Sequence, residues 1–161
     1  MKIVCVGDAY ITGDMMRNGL RPFLGEDDSL EVFFFGDPDQ SVMRDLVKII
    51  EAGRREDVPL PEGLCDAVAD ADLLIVHLCP VTRNMIESAK SLKAIMSCRG
   101  GLENIDVQAA TENGIIVSNN PAHNANAVAE FTIGLILSET RNICRSNFAL
   151  KNAGLADCAS G

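Results

Sequence analysis

Short apolar runs and longer helix-patterned runs take turns from residue 2 to residue 117, and that alternation constrains the fold more than any other feature. Lys2–Gly7 (KIVCVG) predicts a strand buried on both faces, because apolar side chains fill successive positions instead of every second one. Gly13–Leu24 predicts a helix with Asp14 in its first turn and Met15, Met16, Leu20 and Phe23 along one side. Leu30–Phe35 is a second strand, closed by Gly36-Asp37-Pro38-Asp39. Met43, Leu46, Val47 and Ile50 then recur at i, i+3, i+4 and i+7, one face of a helix. Arg54–Gly63, with Pro59 and Pro61, is a loop. Cys65–Ala71 is a short helix and Leu73–His77 a third strand; Arg83–Leu92 and Ala94–Ser97 are the next helix and strand. Ile105–Glu112 is helical, and Asn113-Gly114 stops it before a strand at Ile115–Val117. Such alternation implies βαβ units and a parallel sheet, since a crossover helix is the usual link between parallel strands.

The segment after residue 123 breaks the pattern. Between Ala127 and Leu137 only Glu130, Thr132 and Gly134 interrupt the apolar residues. On a helix, Val128, Phe131, Ile133, Leu135, Ile136 and Leu137 occupy nearly every side, and such a helix must be covered all round. Each large side chain left in water forgoes about 1.5–3 kcal/mol. Asn142–Gly161 reads as mostly polar and small and offers no cover. Either another subunit covers this helix or the polypeptide continues in its native form. Asn126 is placed to cap the helix, with Glu130 in the first turn complementing its dipole.

Charge and composition exclude several function classes. Fourteen basic against 23 acidic residues give a net charge of −9, which would repel nucleic acid and anionic membrane alike. No apolar run approaches the roughly 20 residues that span a bilayer. Six cysteines without C-x-x-C spacing read as reduced thiols of a cytoplasmic protein. With two histidines, His77 and His123, far apart in sequence, no metal site is expected. Neither G-x-G-x-x-G nor a Gly-Lys-Ser/Thr phosphate loop follows the first strand.

The stretch Leu92–Arg141 carries the most information. Leu92-Lys93-Ala94-Ile95, Gly101, Asn104-Ile105-Asp106 and Ala109-Ala110 come first. Gly114-Ile115, Val117, Asn119, Pro121, Val128-Ala129-Glu130 and Arg141 follow. In order and spacing this resembles the D-2-hydroxyacid dehydrogenases, the family that includes phosphoglycerate dehydrogenase. The resemblance implies a flavodoxin-like parallel sheet with helices on both faces, followed by a long interdomain helix. It assigns residues 1–123 to the substrate domain and 124–161 to the crossing helix that begins an NAD-binding Rossmann domain. The family's glycine-rich NAD fingerprint and its catalytic Arg, acidic residue and His come later than residue 161. The 161-residue chain is therefore expected to hold no catalytic residue and to be inactive alone. A homodimer through the 126–150 helix is expected on the same ground.

Carried over position by position, the resemblance implies that the loop Leu78-Cys79-Pro80 borders the substrate. It also implies that backbone N–H groups at Gly100-Gly101 hold the carboxylate of a small anionic 2-hydroxy or 2-oxo acid, and that Asn124 lines the pocket. Without the resemblance, Gly100-Gly101 reads as a plain tight turn between strand and helix. Four positions depart from the family pattern. Arg99 replaces the first turn glycine, Glu103 the Asp before the Asn, and Ala125 a hydroxyl residue near the nicotinamide. Leu78 stands where some members carry a basic residue. Arg99 has two readings: an extra cationic contact to an anionic substrate, or a guanidinium bonded to nearby backbone carbonyls. His123 invites assignment as a general acid or base, but the family's catalytic His lies in the other half; His77 reads as a satisfied core residue. Rival readings are a non-catalytic dimeric interaction module and a stand-alone receiver or flavin carrier.

Overall fold

Residues Lys2–Gly7 form β1, and every residue after Lys2 is buried. In the computed structural model, which describes residues 1–122 and 124–152, β1 lies inside a five-stranded sheet of order β2-β1-β3-β4-β5. The partners β2 (Ser29–Phe34), β3 (Leu73–Val76), β4 (Ala94–Ser97) and β5 (Ile116–Ser118) all run parallel. The parallel sheet is what the alternating pattern implies, and its order is the flavodoxin-like one that the resemblance implies. Because β2 lies on one side of β1 and β3 on the other, the chain reverses its direction of travel across the sheet between β1 and β3. In such sheets the crevice at that reversal, outside the carboxyl ends of the strands, is where ligands bind.

The two faces of the sheet are covered unequally. Val4, Val6, Leu74, Val76 and Ile95 pack beneath α2 (Gln40–Glu51), α3 (Leu64–Ala69), α4 (Arg83–Ser88) and α5 (Val107–Glu112). Met43 and Ile50, the ends of the predicted helical stripe, are fully buried there. The opposite face, with Ile3, Cys5 and Ile75, receives Met16 of α1 (Gly13–Leu20). Burial pushes the Cys5 thiol up to about 12, so it stays protonated at neutral pH.

Several element ends differ from expectation for local reasons. The helix predicted to reach Leu24 ends at Leu20 and tightens into a 3-10 turn at Arg21–Phe23. Pro22 has no N–H to continue the ladder. Phe23 is consequently 82% exposed, and Met15 is exposed as well. The helix predicted for Arg83–Leu92 stops at Ser88, and α5 starts at Val107 because Asp106 caps it, accepting from Ala109 N at 2.8 Å.

Gly7 is fixed by space. A Cβ there would lie 2.7 Å from Gly13 N, at the start of α1, and 2.8 Å from Ile11 O, in the loop between β1 and α1. Gly7→Ala is expected to cost about 1–3 kcal/mol, seen as a lower urea midpoint at unchanged slope.

The chain divides into two compact units, the second beginning at Ala122. The single helix expected over 126–150 is two: α6 (Ala125–Thr140) and α7 (Ile143–Asn152). Asn142, at φ 55°, adopts a left-handed conformation between them and breaks the run. Asn124 occupies the N-cap position of α6 without a side-chain bond, so Asn126 is not the cap, and no acid stands in the first turn. Glu130 falls one turn later. Val128, Phe131, Ile133, Leu135, Ile136 and Leu137 are all exposed, and within the described residues nothing supplies the cover that an apolar-all-round helix requires. The segment after Asn142, expected to be polar, adds exposed Ile143, Phe148 and Leu150.

Candidate functional site

The carboxyl ends of β1, β3 and β4, and the loops that leave them, hold the buried polar side chains of the first unit, Asp8, Thr82, Ser97 and Asn104. Asp8 follows β1 directly and is fully buried. Its Oδ1 accepts from the N–H groups of Tyr10 at 2.9 Å and Ile11 at 3.0 Å. Its Oδ2 accepts from Leu78 N at 3.2 Å and meets His77 Nδ1 at 2.8 Å. Burial alone would raise the Asp8 carboxyl, but the His77 ring and the Ile11 and Tyr10 amides outweigh it and hold the group below the usual carboxylate range. The Tyr10 ring stands edge-on to His77 at 6.4 Å between centroids, and its Oη donates to Gln40 O at 3.3 Å.

The neighbouring loop is pinned by Asn104. This fully buried side chain donates from Nδ2 to Cys79 O at 2.9 Å and to His77 O at 3.3 Å. Its own backbone carbonyl accepts from Val81 N at 2.8 Å. The loops after β3 and β4 are thereby fastened together. Leu78 and Cys79 lie in the core, 5% and 1% exposed, and Leu78 N and Cys79 O are taken by Asp8 and Asn104, so these two residues offer a ligand almost no surface, against the expectation that their loop borders the substrate. Burial raises the Cys79 thiol strongly, which leaves no thiolate nucleophile.

After β4 the chain turns through Arg99-Gly100-Gly101. Gly100 O accepts from Asn119 Nδ2 at 2.7 Å, and Arg99 O accepts from Asn120 N at 3.1 Å, so the turn is tied to the segment following β5. Among the described residues nothing accepts from the N–H groups of Gly100 and Gly101. The Glu103 carboxylate packs against Gly101, in the space a Cβ would take. The Arg99 guanidinium turns to carboxylates, reaching Glu51 Oε1 at 3.1 Å and facing Glu103 Oε2 at 3.6 Å. Its Nη1 is buried without a partner. Arg55 braces the loop from outside, donating to Glu103 O at 3.0 Å.

The structure thus brings Leu78, Cys79, Arg99, Gly100 and Gly101 to adjacent strand ends. Asn124 and Ala125 lie in the second unit, at the start of α6. His123 and Cys158 fall outside the described residues. Sequence reasoning missed Asp8 and the pairing of Asp8 with His77. The available signal was that both residues directly follow strands flanking the reversal point. A groove of about 430 Å³ adjoins the turn; Met16, Leu20, Ile75, Met96 and Cys98 give it a mainly apolar wall, Ser97, Asn119 and Asn120 line its polar side, and it carries no charged side chain. Among the described residues no group of His, Cys, Asp and Glu could hold a metal ion. No helix among them is long and apolar enough to cross a membrane.

A family model described as D-isomer specific 2-hydroxyacid dehydrogenase, catalytic domain, matches residues 32–156. D-3-phosphoglycerate dehydrogenase of Methanocaldococcus jannaschii is 43% identical over 111 residues, 66% of this chain and 21% of that protein. An acyclic imino acid reductase (Bsp5), solved with NADPH and D-Arg, superposes over 95% of this chain and 41% of its own, with TM-score 0.63 at 23% identity. D-lactate dehydrogenase of Aquifex aeolicus, solved with NAD and lactic acid, gives TM-score 0.62 at 19% identity over 95% of this chain and 38% of its own. The chain spans about a fifth of the length of the first of these relatives.

Proposed function

Because the chain belongs to the D-isomer specific 2-hydroxyacid dehydrogenase family, we propose that it is the acid-binding portion of an NAD-dependent enzyme that moves a hydride between C2 of a 2-hydroxy acid and nicotinamide. The observation that carries this reading is the pair of unclaimed N–H groups at Gly100 and Gly101, at the carboxyl end of β4 beside the reversal point. Two consecutive backbone donors in a turn without side chains form a concave anion site. The acid's carboxylate accepts from both, which fixes C2 relative to the strand ends. Glu103 swings off Gly101 as the acid enters, clearing the space its carboxylate fills in the free chain.

Hydride chemistry belongs to the cofactor. Residues 124–161 begin the domain that binds it, with Asn124 and Ala125 at the crossing. Relatives several times longer than this chain support placing the nicotinamide site and the proton-transfer groups outside it. The 161-residue chain alone then gives no NADH oxidation with any 2-oxo acid. The enzyme works as a homodimer, in the cytoplasm, with the apolar sides of α6 supporting the first point and the lack of C-x-x-C spacing the second.

The test is an amide NMR titration of the chain with D-lactate and with D-lactamide, its uncharged analogue. Saturable movement of the Gly100 and Gly101 amides with the acid alone is the expected result. Equal movement with both ligands, or with neither, removes the reading.

A further inference from the structure

The Asp8–His77 pair has no part in carboxylate binding as described above, yet it stands at the reversal point itself. Asp8 carries four donors on two oxygens, which fills a carboxylate's capacity. A carboxylate only accepts, so the 2.8 Å contact to His77 Nδ1 requires the proton on that nitrogen. In the neutral ring this leaves Nε2 as a bare acceptor. The ring is 17% exposed, and among the described residues Nε2 makes no hydrogen bond. Its backbone is held too, since Asp8 binds the next N–H and Asn104 binds the His77 carbonyl. A side chain fixed at one nitrogen by a buried carboxylate and open at the other is built to present that second nitrogen.

What it presents to follows from position and charge. Val76 pairs with Ser97, and Cys98 N donates to Val76 O at 2.8 Å. His77 and the turn at 98–101 therefore leave neighbouring strands, which run about 4.8 Å apart. Among the described residues no Lys or Arg bonds to the pair. The nearest guanidinium of the turn, Arg99, is engaged by Glu51 and Glu103. A second anionic group would sit beside the Asp8 carboxylate without a fixed positive charge to meet it, whereas a hydroxyl needs only an acceptor. We infer that His77 is a substrate-recognition residue: its Nε2 accepts a hydrogen bond from a hydroxyl carried beyond C2 of the acid, with Asp8 as the positioning residue that sets the tautomer. The site then takes hydroxylated acids over their deoxy counterparts. This rests on the carboxylate reading of the Gly100-Gly101 turn.

The experiment follows histidine ring ¹⁵N and backbone amide signals of the whole chain during titration with D-glycerate and D-lactate, which differ by one hydroxyl at C3. D-3-phosphoglycerate is the third probe. In the free protein His77 is expected as the Nδ1–H tautomer at neutral pH. D-glycerate should shift Nε2 and bind at least about tenfold tighter than D-lactate, since a site built around a hydroxyl rejects the analogue lacking it. Asp8→Asn replaces an acceptor with a donor, so the ring inverts to Nε2–H and the preference is lost. If that variant does not fold, the unmodified chain decides alone. The inference is overturned by an Nε2–H tautomer in the free protein. It is also overturned if the turn amides move with both small acids while Nε2 stays still; the carboxylate reading then survives. A response of Nε2 to the phosphorylated acid alone would show imidazolium recognising an anion, against the inference. If no acid moves the turn amides, the carboxylate reading fails and takes the inference with it.

Discussion

Asp8→Ala is expected to lower stability by about 3 kcal/mol or more, a large share of the roughly 5–15 kcal/mol that holds a domain folded. The side chain is fully buried and accepts from three backbone N–H groups besides the His77 ring. Alanine strands all three, and each buried donor left without a partner costs about 1–3 kcal/mol. Urea denaturation reads the effect as a fall in midpoint at constant slope. A pH dependence follows. The Asp8 carboxyl is held below the usual carboxylate range in the fold, against the push of its burial. A depressed carboxylate contributes stability that is complete above the unfolded value, about pH 4, and fades as pH falls through the folded one. Asp8→Asn should therefore lose less stability than the parent between neutral pH and the acid range. Parallel acid curves for the two proteins would show that Asp8 does not carry this contribution.

The second large effect lies on α6. Six large apolar side chains stand exposed there, from Val128 to Leu137, on nearly every side of the helix. Covering each is worth about 1.5–3 kcal/mol, so a homodimer formed through α6 has ample driving force. Phe131→Asp combined with Ile136→Asp should raise its dissociation constant more than about a hundredfold, because a buried unpaired charge costs several kcal/mol. Analytical ultracentrifugation across a dilution series measures this. A parent chain already monomeric at tens of micromolar would contradict the homodimer directly.

Much of the fold was legible because its signals are local. Short apolar runs such as Leu73–Val76 and Ala94–Ser97, set between helical stretches, are too short for helices and long enough to cross a sheet, and each became a strand. Helix ends were less legible. The stop at Leu20 depended on Pro22, and the break at Asn142 depended on one left-handed residue inside an otherwise helical stretch. Phe23 was assigned to an apolar stripe by spacing alone, but the stripe ends where the α-helix does.

At the site, Gly100 and Gly101 were reachable through the motif that surrounds them. The orientation of Leu78 and Cys79 was not, because a loop has no periodicity from which to read which way a side chain turns. The partner of Arg99 was out of reach as well, since Glu51 is 48 residues away in sequence. Asp8 and His77 are 69 residues apart and meet only because β1 and β3 are neighbours in the sheet. Pairings of that kind follow from strand order, which the alternation of elements implies only as a class.

The most direct measurement of the central claim is a crystal structure of the chain grown with D-glycerate. The account predicts the carboxylate within hydrogen-bonding distance of the Gly100 and Gly101 N–H groups, with Glu103 displaced from Gly101. Acid bound instead in the apolar groove beside α1, with Glu103 still packed on the turn, would contradict it.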